Sequence, residues 1–317
     1  MRDLKLWKFI LQKLEANKPV MLMCVVESSG SSPGRTGFKM AVTSEEMCGS
    51  IGGGIMEHKF VEMAKDRLLI NQDPFIKKQF HRKSEAQNQS GMICSGEQTV
   101  LMYRLQKDTM SEISHVIASM EEKKNGRLRI TGNDFSFHAG KGEGGFFFRE
   151  ESETDFEYEE TTGYTNHLYI AGGGHCSLAL SRLMHSMDFY IHVFENRKDL
   201  NTLTENQFVH DKTFVSDYSE LKNHIPEGNN NYVVIMTFGY RTDDAAVRAL
   251  AGKEFKFLGV LGSASKMQQM FDEWNGDGLP SDWLKKIYSP VGIQIKSETP
   301  EEIAVSIAAQ IIQVMRR

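Results

Sequence analysis

The chain has 317 residues, a length that favours two domains, each with a hydrophobic core of its own. Apolar residues make up 40% and charged residues 25%, which is ordinary for a globular protein and excludes collagen-like, disordered and coiled-coil classes. With 37 basic against 42 acidic residues the net charge is -5, so we expect no broad basic surface and no nucleic-acid partner.

We expect neither a membrane span nor a secretory signal. The longest nearly uncharged run, residues 19–26, is far shorter than the roughly 20 residues needed to cross a bilayer, and lysines interrupt the amphipathic helix predicted over residues 4–14. The cysteines are too widely spaced for a paired zinc motif or a compact disulfide framework, which favours reduced thiols and a cytoplasmic protein. They are Cys24, Cys48, Cys94 and Cys176.

The first half predicts an α+β domain. After the opening helix the pattern predicts a buried strand at 20–27, a small-residue loop at 28–37, a strand at 38–42, a glycine loop at 49–54 that opens a helix, strands at 75–80 and 98–105, a helix over 110–120 and short strands within 126–149. Seven of the eleven residues at 150–160 are acidic, which predicts an exposed edge strand or the solvated approach to a linker. We place the domain boundary near 162–166, giving domains at 1–163 and 164–317.

The second half alternates strands with helices, the pattern of a doubly wound parallel sheet. Strands are predicted at 167–170, 189–194, 232–236 and 255–261, with helices after Cys176, Asp243 and Ala264. Thr299, Pro300 and Glu302 have the spacing of an N-cap, a first-turn proline and a capping box, and they predict the start of a final helix.

A dinucleotide-binding fingerprint lies between the first of these strands and its helix. Gly172 and Gly174 supply the first two glycines of GxGxxG, and Ser177 is a small residue in place of the third. Glu195 ends the next strand, where an acidic residue accepts a hydrogen bond from a ribose hydroxyl. The alternative is that these glycines only form a tight strand-to-helix turn.

Two further turns follow later strands of the same sheet, at 237–240 and 262–265, and both are expected to line the same crevice. Asp243 and Asp244 are better explained as residues of a first helical turn.

The first domain contains three small-residue loops, at 28–37, 49–54 and 91–96, whose backbone N–H groups are suited to bind oxyanions. Arg35 adds a fixed positive charge that can hold a phosphate. Cys94 is a candidate sulfur carrier or soft-metal ligand, and the only metal-ligand candidate, whereas Cys24 is predicted to be a core residue. The alternative is that the glycines only turn corners.

Taken in order, six segments resemble the XdhC/CoxI family of accessory proteins for molybdenum hydroxylases such as xanthine dehydrogenase. They are ESSGSSPGRTG at 27–37, GSIGGGIME at 49–57, GMICSG at 91–96, LYIAGGGH at 168–175, GVLGSASK at 259–266 and SPVGIQIKSETPEEIAV at 289–305. Many relatives have cysteine where Gly54 or Ile55 stands, glycine at Ser95 and histidine at Phe238.

The resemblance implies an N-terminal family-specific domain followed by a Rossmann-like domain, and a homodimer. It implies a non-catalytic role: binding molybdenum cofactor, protecting it during sulfuration by a cysteine desulfurase, and delivering it to an apo-hydroxylase. A nucleotide in the Rossmann-like domain is a further expectation. The residues expected to contact the cofactor are, from the matching motifs, Ser32, Arg35, Gly52, Gly53, Gly54, Glu57, Cys94, Gly172 and Gly174, together with Glu195 from the dinucleotide fingerprint.

Two alternatives remain open from the residues. An NAD(P)-dependent oxidoreductase would use the Rossmann-like domain for its dinucleotide, although no acid–base pair at catalytic spacing is visible in the sequence. A structural component of the hydroxylase would instead co-purify stably with it.

Overall fold

We analysed a computed structural model of the chain, which describes residues 2–70, 74–80, 96–140 and 145–316. The chain divides into two compact units, Met1–Gly163 and Tyr164–Arg317. No helix in these ranges is long and apolar enough to cross a membrane.

The first unit contains three helices and two antiparallel sheets among its described residues. In chain order its elements are α1 (Arg2–Glu15), β1 (Val20–Gly30), β2 (Lys39–Val42), β3 (Met47–Gly49), α2 (Gly54–Ile70), β4 (Phe75–Phe80), β5 (Gly96–Leu105), α3 (Met110–Glu121), β6 (Gly126–Thr131), β7 (Phe135–Ala139), β8 (Phe146–Glu150) and β9 (Phe156–Thr162). The sheets have the strand orders β3-β2-β1-β5-β4 and β7-β6-β9-β8. The predicted α+β class is therefore confirmed.

The five-stranded sheet is covered on both faces. Alternating residues of β1 point to opposite sides, so Leu22 and Cys24 pack with α1, α3 and the second sheet, whereas Met21 and Met23 pack with α2. Strand β1 is longer than predicted: it runs to Gly30 because residues 27–30 continue the pairing with β5. The small-residue loop therefore begins at Ser31.

The acidic segment does not form the exposed edge or linker that its charge predicts. Strand β9 lies inside its sheet, between β6 and β8, and its alternate residues Phe156, Tyr158 and Glu160 are buried. The acidic residues between them pair with arginines of β6, as in Glu159 with Arg127. The prediction from net acidity was wrong because the alternation of residues along the strand, and not their total charge, determines which face is buried.

The second unit is a six-stranded parallel sheet with helices on both faces. Its elements are β10 (His167–Ala171), α4 (His175–Ser186), β11 (Tyr190–Glu195), α5 (Asn201–Glu205), β12 (Asp211–Phe214), α6 (Leu221–His224), β13 (Gly228–Ile235), α7 (Tyr240–Ala249), β14 (Phe255–Val260), α8 (Ala264–Gly276), α9 (Ser281–Leu284), β15 (Ile287–Tyr288) and α10 (Pro300–Met315). The strand order is β12-β11-β10-β13-β14-β15, and every pairing is parallel.

This order is the 3-2-1-4-5-6 arrangement of a Rossmann sheet, so the predicted doubly wound fold is confirmed. One face packs against α7 and α8 and the other against α4 and α10. The sequence pattern missed β12, a short strand with two exposed residues, so the turns at 237–240 and 262–265 follow the fourth and fifth strands rather than the third and fourth. The capping box of Thr299 and Glu302 and the first-turn Pro300 of α10 are as predicted.

Candidate functional site

The loops after β10 and β13 meet at the point where the sheet reverses its winding direction. Gly172 has a φ of +109°, and a Cβ there would lie 2.3 Å from the carbonyl oxygen of Met236. Any other side chain would force the two strand ends apart. This position is where ligands bind in doubly wound sheets, in the crevice at the carboxyl ends of the strands.

Glu195 lies beneath the glycine loop and is fully buried, with 0% of its surface exposed. Its Oε2 accepts hydrogen bonds from Gly173 N at 2.7 Å and Arg197 Nη2 at 2.9 Å. Its Oε1 accepts from the backbone N of Asn196 at 2.9 Å and from the N and Nε of Arg197 at 3.0 and 2.9 Å, with Tyr218 Oη at 3.4 Å.

These bonds give Glu195 a role different from the one expected from the fingerprint. Both carboxylate oxygens are occupied by donors of the chain itself, so Glu195 is not a free acceptor for a ribose hydroxyl. Burial raises its pKa, but the hydrogen bonds from Arg197 and from backbone N–H groups outweigh burial and hold the pKa below its usual value. The buried carboxylate fixes the glycine loop and the guanidinium of Arg197.

Gly174 is the most open position of the fingerprint. It is the N-cap of α4, and a Cβ there would meet no atom within 4 Å. A helix N-terminus presents backbone N–H groups that have no partner inside the helix, and it favours negative charge. Ser177, one turn further, is fully buried, as expected for a small residue that lets helix and sheet pack closely.

A second buried carboxylate organises the neighbouring turn. Asp243, in the first turn of α7, is 1% exposed and accepts hydrogen bonds from Thr237 N at 3.0 Å and Thr237 Oγ1 at 2.6 Å. Lys266 of α8 forms an ion pair with the other oxygen of Asp243, and the lysine side chain is 26% exposed. Asp243 is thus a first-turn residue, as expected, and it also fixes the strand-end backbone.

The two carboxylates share one arrangement. Each is buried, binds a backbone N–H at a strand end and pairs with a cation that reaches partway to solvent: Arg197, whose side chain is 40% exposed, or Lys266. We call this pair of cations the cationic rim. Because the negative charges lie inside and the positive charges face outward, the rim favours an anionic ligand.

Phe238 lies beside the cationic rim. It follows β13 and is 72% exposed, the largest exposed fraction among the large apolar side chains of this unit. The guanidinium of Arg197 lies 5.3 Å from the centre of its ring, a cation–π distance. Phe238 belongs to the turn at 237–240 that was expected to line the crevice, whereas Arg197 was not among the predicted site residues. The sequence signal that could have identified Arg197 is its position two residues after Glu195, the acid at the end of the second strand.

In the first unit the predicted loops pack directly against each other. A Cβ on Gly34 would lie 2.3 Å from the carbonyl oxygen of Ile51, and a Cβ on Gly52 would lie 2.4 Å from Gly34 N. Gln98, which sequence reasoning missed, is buried and accepts from Gly34 N at 3.0 Å. Several of these glycines therefore permit backbone packing, which is the alternative explanation for them.

Glu57 occupies the N–H groups of the 49–54 loop. Its Oε2 accepts from Ile51 N at 2.9 Å, from Gly53 N at 3.0 Å and from Ser50 Oγ at 2.6 Å. The loop therefore binds an anion, and that anion is the chain's own carboxylate. Gly53 has a φ of +75° with open space at its Cβ position, and Gly54, with a φ of +74°, begins α2.

The other predicted residues of this unit have simpler surroundings. Ser32 is buried and donates to the carbonyl oxygen of Gly34, whereas Arg35 is exposed and donates through Nη1 to the carbonyl oxygen of Gly30 at 3.0 Å and to Ser32 Oγ at 3.1 Å. Arg35 thus stabilises its own loop.

The cysteines divide by environment. Cys94, with most of the 91–96 loop, lies outside the described residues. Cys24 is fully buried and burial raises its thiol pKa, so it is the core residue that was expected. Burial also raises the pKa of Cys176, in the first turn of α4, which disfavours its thiolate.

Both units match family models. Residues 13–73 match a model described as the XdhC and CoxI family, and residues 168–311 match one described as the XdhC Rossmann domain. The chain is 38% identical over 84 residues to a probable xanthine dehydrogenase subunit of Bacillus subtilis, covering 26% of this chain and 23% of that protein.

Two other comparisons extend over nearly the whole chain. The uncharacterized protein YqeB of Escherichia coli is 22% identical over 304 residues, covering 95% of this chain and 44% of the relative, so the matches span less than half of either curated relative. A crystal structure described as a xanthine dehydrogenase from Bacillus halodurans aligns over 100% of this chain and 96% of its own, with a TM-score of 0.73 and 21% identity. At this identity the likeness supports the shared fold. With one family model matched in each unit, the chain belongs to the XdhC and CoxI family.

Proposed function

We propose that this chain is an accessory protein of a xanthine dehydrogenase-type system, which binds molybdenum cofactor as cargo and delivers it to the apo-hydroxylase. The observation that carries the proposal is the match of both units to XdhC models, in a chain that is 38% identical over 84 residues to a protein named as a probable xanthine dehydrogenase subunit. In this proposal the chain holds and transfers its cargo and catalyses no reaction of its own.

The chemistry of the second unit is compatible with such a cargo. Molybdenum cofactor carries a phosphate, and the cationic rim together with the open N-terminus at Gly174 provides donors and positive charge for an oxyanion. In the first unit the 49–54 loop would bind the same phosphate only after Glu57 moves away. The second unit is therefore the better candidate for the phosphate.

Further parts of the proposal concern partners. A cysteine desulfurase would supply sulfur while the cofactor is held, and two copies of the chain would form a homodimer in the cytoplasm.

Cys94 remains the candidate contact for the metal or for sulfur. Replacement of Cys94 with Ser tests that thiol without changing side-chain size.

Co-expression with an apo-hydroxylase tests delivery. We expect the hydroxylase to contain more molybdenum and to be more active when this chain is present, because the carrier protects the cofactor. An Arg197→Gln, Lys266→Gln variant removes the cationic rim and should deliver less cofactor, and its urea midpoint is measured alongside because the change also removes the partners of the buried Glu195 and Asp243. Equal filling of the hydroxylase with and without the chain would contradict the proposal.

An NAD(P)-dependent oxidoreductase is the second candidate, favoured by the 3-2-1-4-5-6 strand order. The occupied carboxylate of Glu195 argues against ordinary NAD binding because its oxygens already accept from Gly173 and Arg197. Calorimetry with NAD and NADP, followed by a test for hydride transfer, separates the two functions. Turnover of either dinucleotide would favour the enzyme.

A further inference from the structure

We propose that Phe238 and Arg197 form a binding site for a planar heterocycle that carries a phosphate, with the ring stacked on Phe238 and the phosphate paired with Arg197. Glu195 is the positioning residue of this site because it holds the guanidinium in place from below. The inference rests on the proposed function and deepens it, because it names the side chains that would contact the ring and the phosphate, and its binding assay with nucleotides and simple pterins can fail separately from the delivery assay.

The first observation is the exposure of Phe238. Leaving an aromatic ring 72% exposed costs hydrophobic free energy, and this ring lies at the end of β13, beside the reversal of the sheet where ligands of this fold bind. An aromatic side chain in such a place suits stacking, because every heterocyclic base presents a flat π-face.

The second observation is how Arg197 is held. Its Nε and Nη2 donate to the two oxygens of Glu195 at 2.9 Å each, which orients the plane of the guanidinium. Within the described residues Nη1 makes no hydrogen bond, so the outer edge of the guanidinium is available. An arginine already fixed on one edge loses little side-chain entropy when the other edge binds a phosphate.

The charges set the selectivity. A free carboxylate at the end of the second strand would accept the ribose hydroxyls of an unphosphorylated dinucleotide. Here Arg197 neutralises Glu195, and Lys266 similarly neutralises Asp243. The crevice therefore offers cations where the ordinary fingerprint offers an acceptor, and a phosphate should be preferred to a hydroxyl.

Two ligand sources share this chemistry: a nucleotide with a phosphate near its base, and a pterin phosphate. Calorimetry on the full-length protein with matched pairs distinguishes them. The first pair is NADP against NAD, which differ by the 2′-phosphate, and the second is 6-hydroxymethylpterin phosphate against 6-hydroxymethylpterin. We expect the phosphorylated member of at least one pair to bind about tenfold or more tightly, the size expected for charge-assisted hydrogen bonds.

Four variants test the two residues. Arg197→Gln should reduce the preference for phosphate to about one, and Arg197→Lys, which keeps the charge but not the planar fork, should retain part of it. Phe238→Ala should weaken both members of the preferred pair by about tenfold, whereas Phe238→Trp should preserve binding. Because Phe238 is exposed, its replacement leaves folding intact.

The controls are Arg248→Gln, which changes an ion-paired arginine on α7, and Phe147→Ala, which changes an exposed phenylalanine of the first unit. Neither should alter binding by more than about twofold. The proposal is overturned if no probe binds at millimolar concentration, if phosphorylated and unphosphorylated probes bind equally, or if the controls weaken binding as much as Phe238→Ala. The hydroxylase assay measures delivery of molybdenum cofactor separately, so a failure of this binding site and a failure of delivery are distinguishable.

Discussion

Replacement of Glu195 with Gln should show how much of the second unit's stability depends on one buried carboxylate. The substitution changes one acceptor oxygen into an NH₂ donor at almost the same volume. Whichever way the amide is oriented, that donor faces N–H groups: Gly173 N and Arg197 Nη2 on one side, or the backbone N of Asn196 and two nitrogens of Arg197 on the other.

The magnitude follows from these contacts. Each hydrogen bond to a buried charged group contributes about 1.5–3 kcal/mol, and at least two are lost. The side chain of Arg197 is 40% exposed, so solvent screens its share. We therefore expect a loss of about 2–4 kcal/mol in the free energy of unfolding at neutral pH.

The loss should depend on pH in one direction. The pKa of Glu195 lies below its usual value, so its stabilising contribution is complete above the unfolded-state pKa and disappears as the pH falls through the folded-state pKa. Glutamine does not titrate. The difference between the two proteins should therefore be largest at neutral pH and should narrow as the pH falls below about 4.

Urea denaturation measures the difference in the free energy of unfolding between the parent and Glu195→Gln. Hydrogen exchange read by mass spectrometry assigns that difference to one of the two units. Peptides from residues 1–163 report the first unit and peptides from residues 164–317 report the second. Glu254→Gln, which removes an exposed carboxylate paired with Lys286, is the control and should cost less than about 1 kcal/mol. A loss no greater than that of the control, or a loss that is as large well below pH 4 as at pH 7, would refute the assigned role of Glu195.

The spacing of apolar residues along the sequence predicted most of the fold, because the residues at those positions form the buried cores. The four main strands of the parallel sheet are nearly continuous apolar runs, as expected where both faces are covered, and the capping box of α10 is encoded within four residues. Strand β12 was missed because it is a short edge strand with alternate exposed residues, held by pairing with β11 rather than by its own pattern.

The site was predicted less completely, for a reason common to both units. A glycine loop predicts exposed N–H groups, but it does not say which acceptor they bind. In the structure the acceptors are carboxylates distant or near in sequence: Glu195 for Gly173, and Glu57 for Gly53. Arg197 and Lys266 acquire their importance only through Glu195 and Asp243, partners that the folded sheet brings to the same edge.

Three further predictions test the packing and the loops. Gly172→Ala should destabilise the second unit by about 3 kcal/mol or more in urea denaturation, because a Cβ would overlap a strand-end carbonyl at a positive φ, whereas Gly174→Ala, in open space, should cost less than about 1 kcal/mol. Lys39→Met should cost about 3–5 kcal/mol because it leaves the buried carboxylate of Glu160 uncompensated, and the double variant Lys39→Met, Glu160→Leu should recover most of that loss in hydrogen exchange of the first unit. If the double variant does not recover stability, side-chain volume and not charge determines the loss at Lys39 and Glu160. Glu57→Gln should increase retention of molybdopterin if the 49–54 loop binds the cargo, because it removes the negative charge that occupies the loop's N–H groups. The fluorescence of the oxidised pterin after release measures this retention. Unchanged retention in a variant whose urea midpoint is also unchanged would leave the second unit alone as the phosphate site, because an anion that competed with the Glu57 carboxylate would have to respond to its removal.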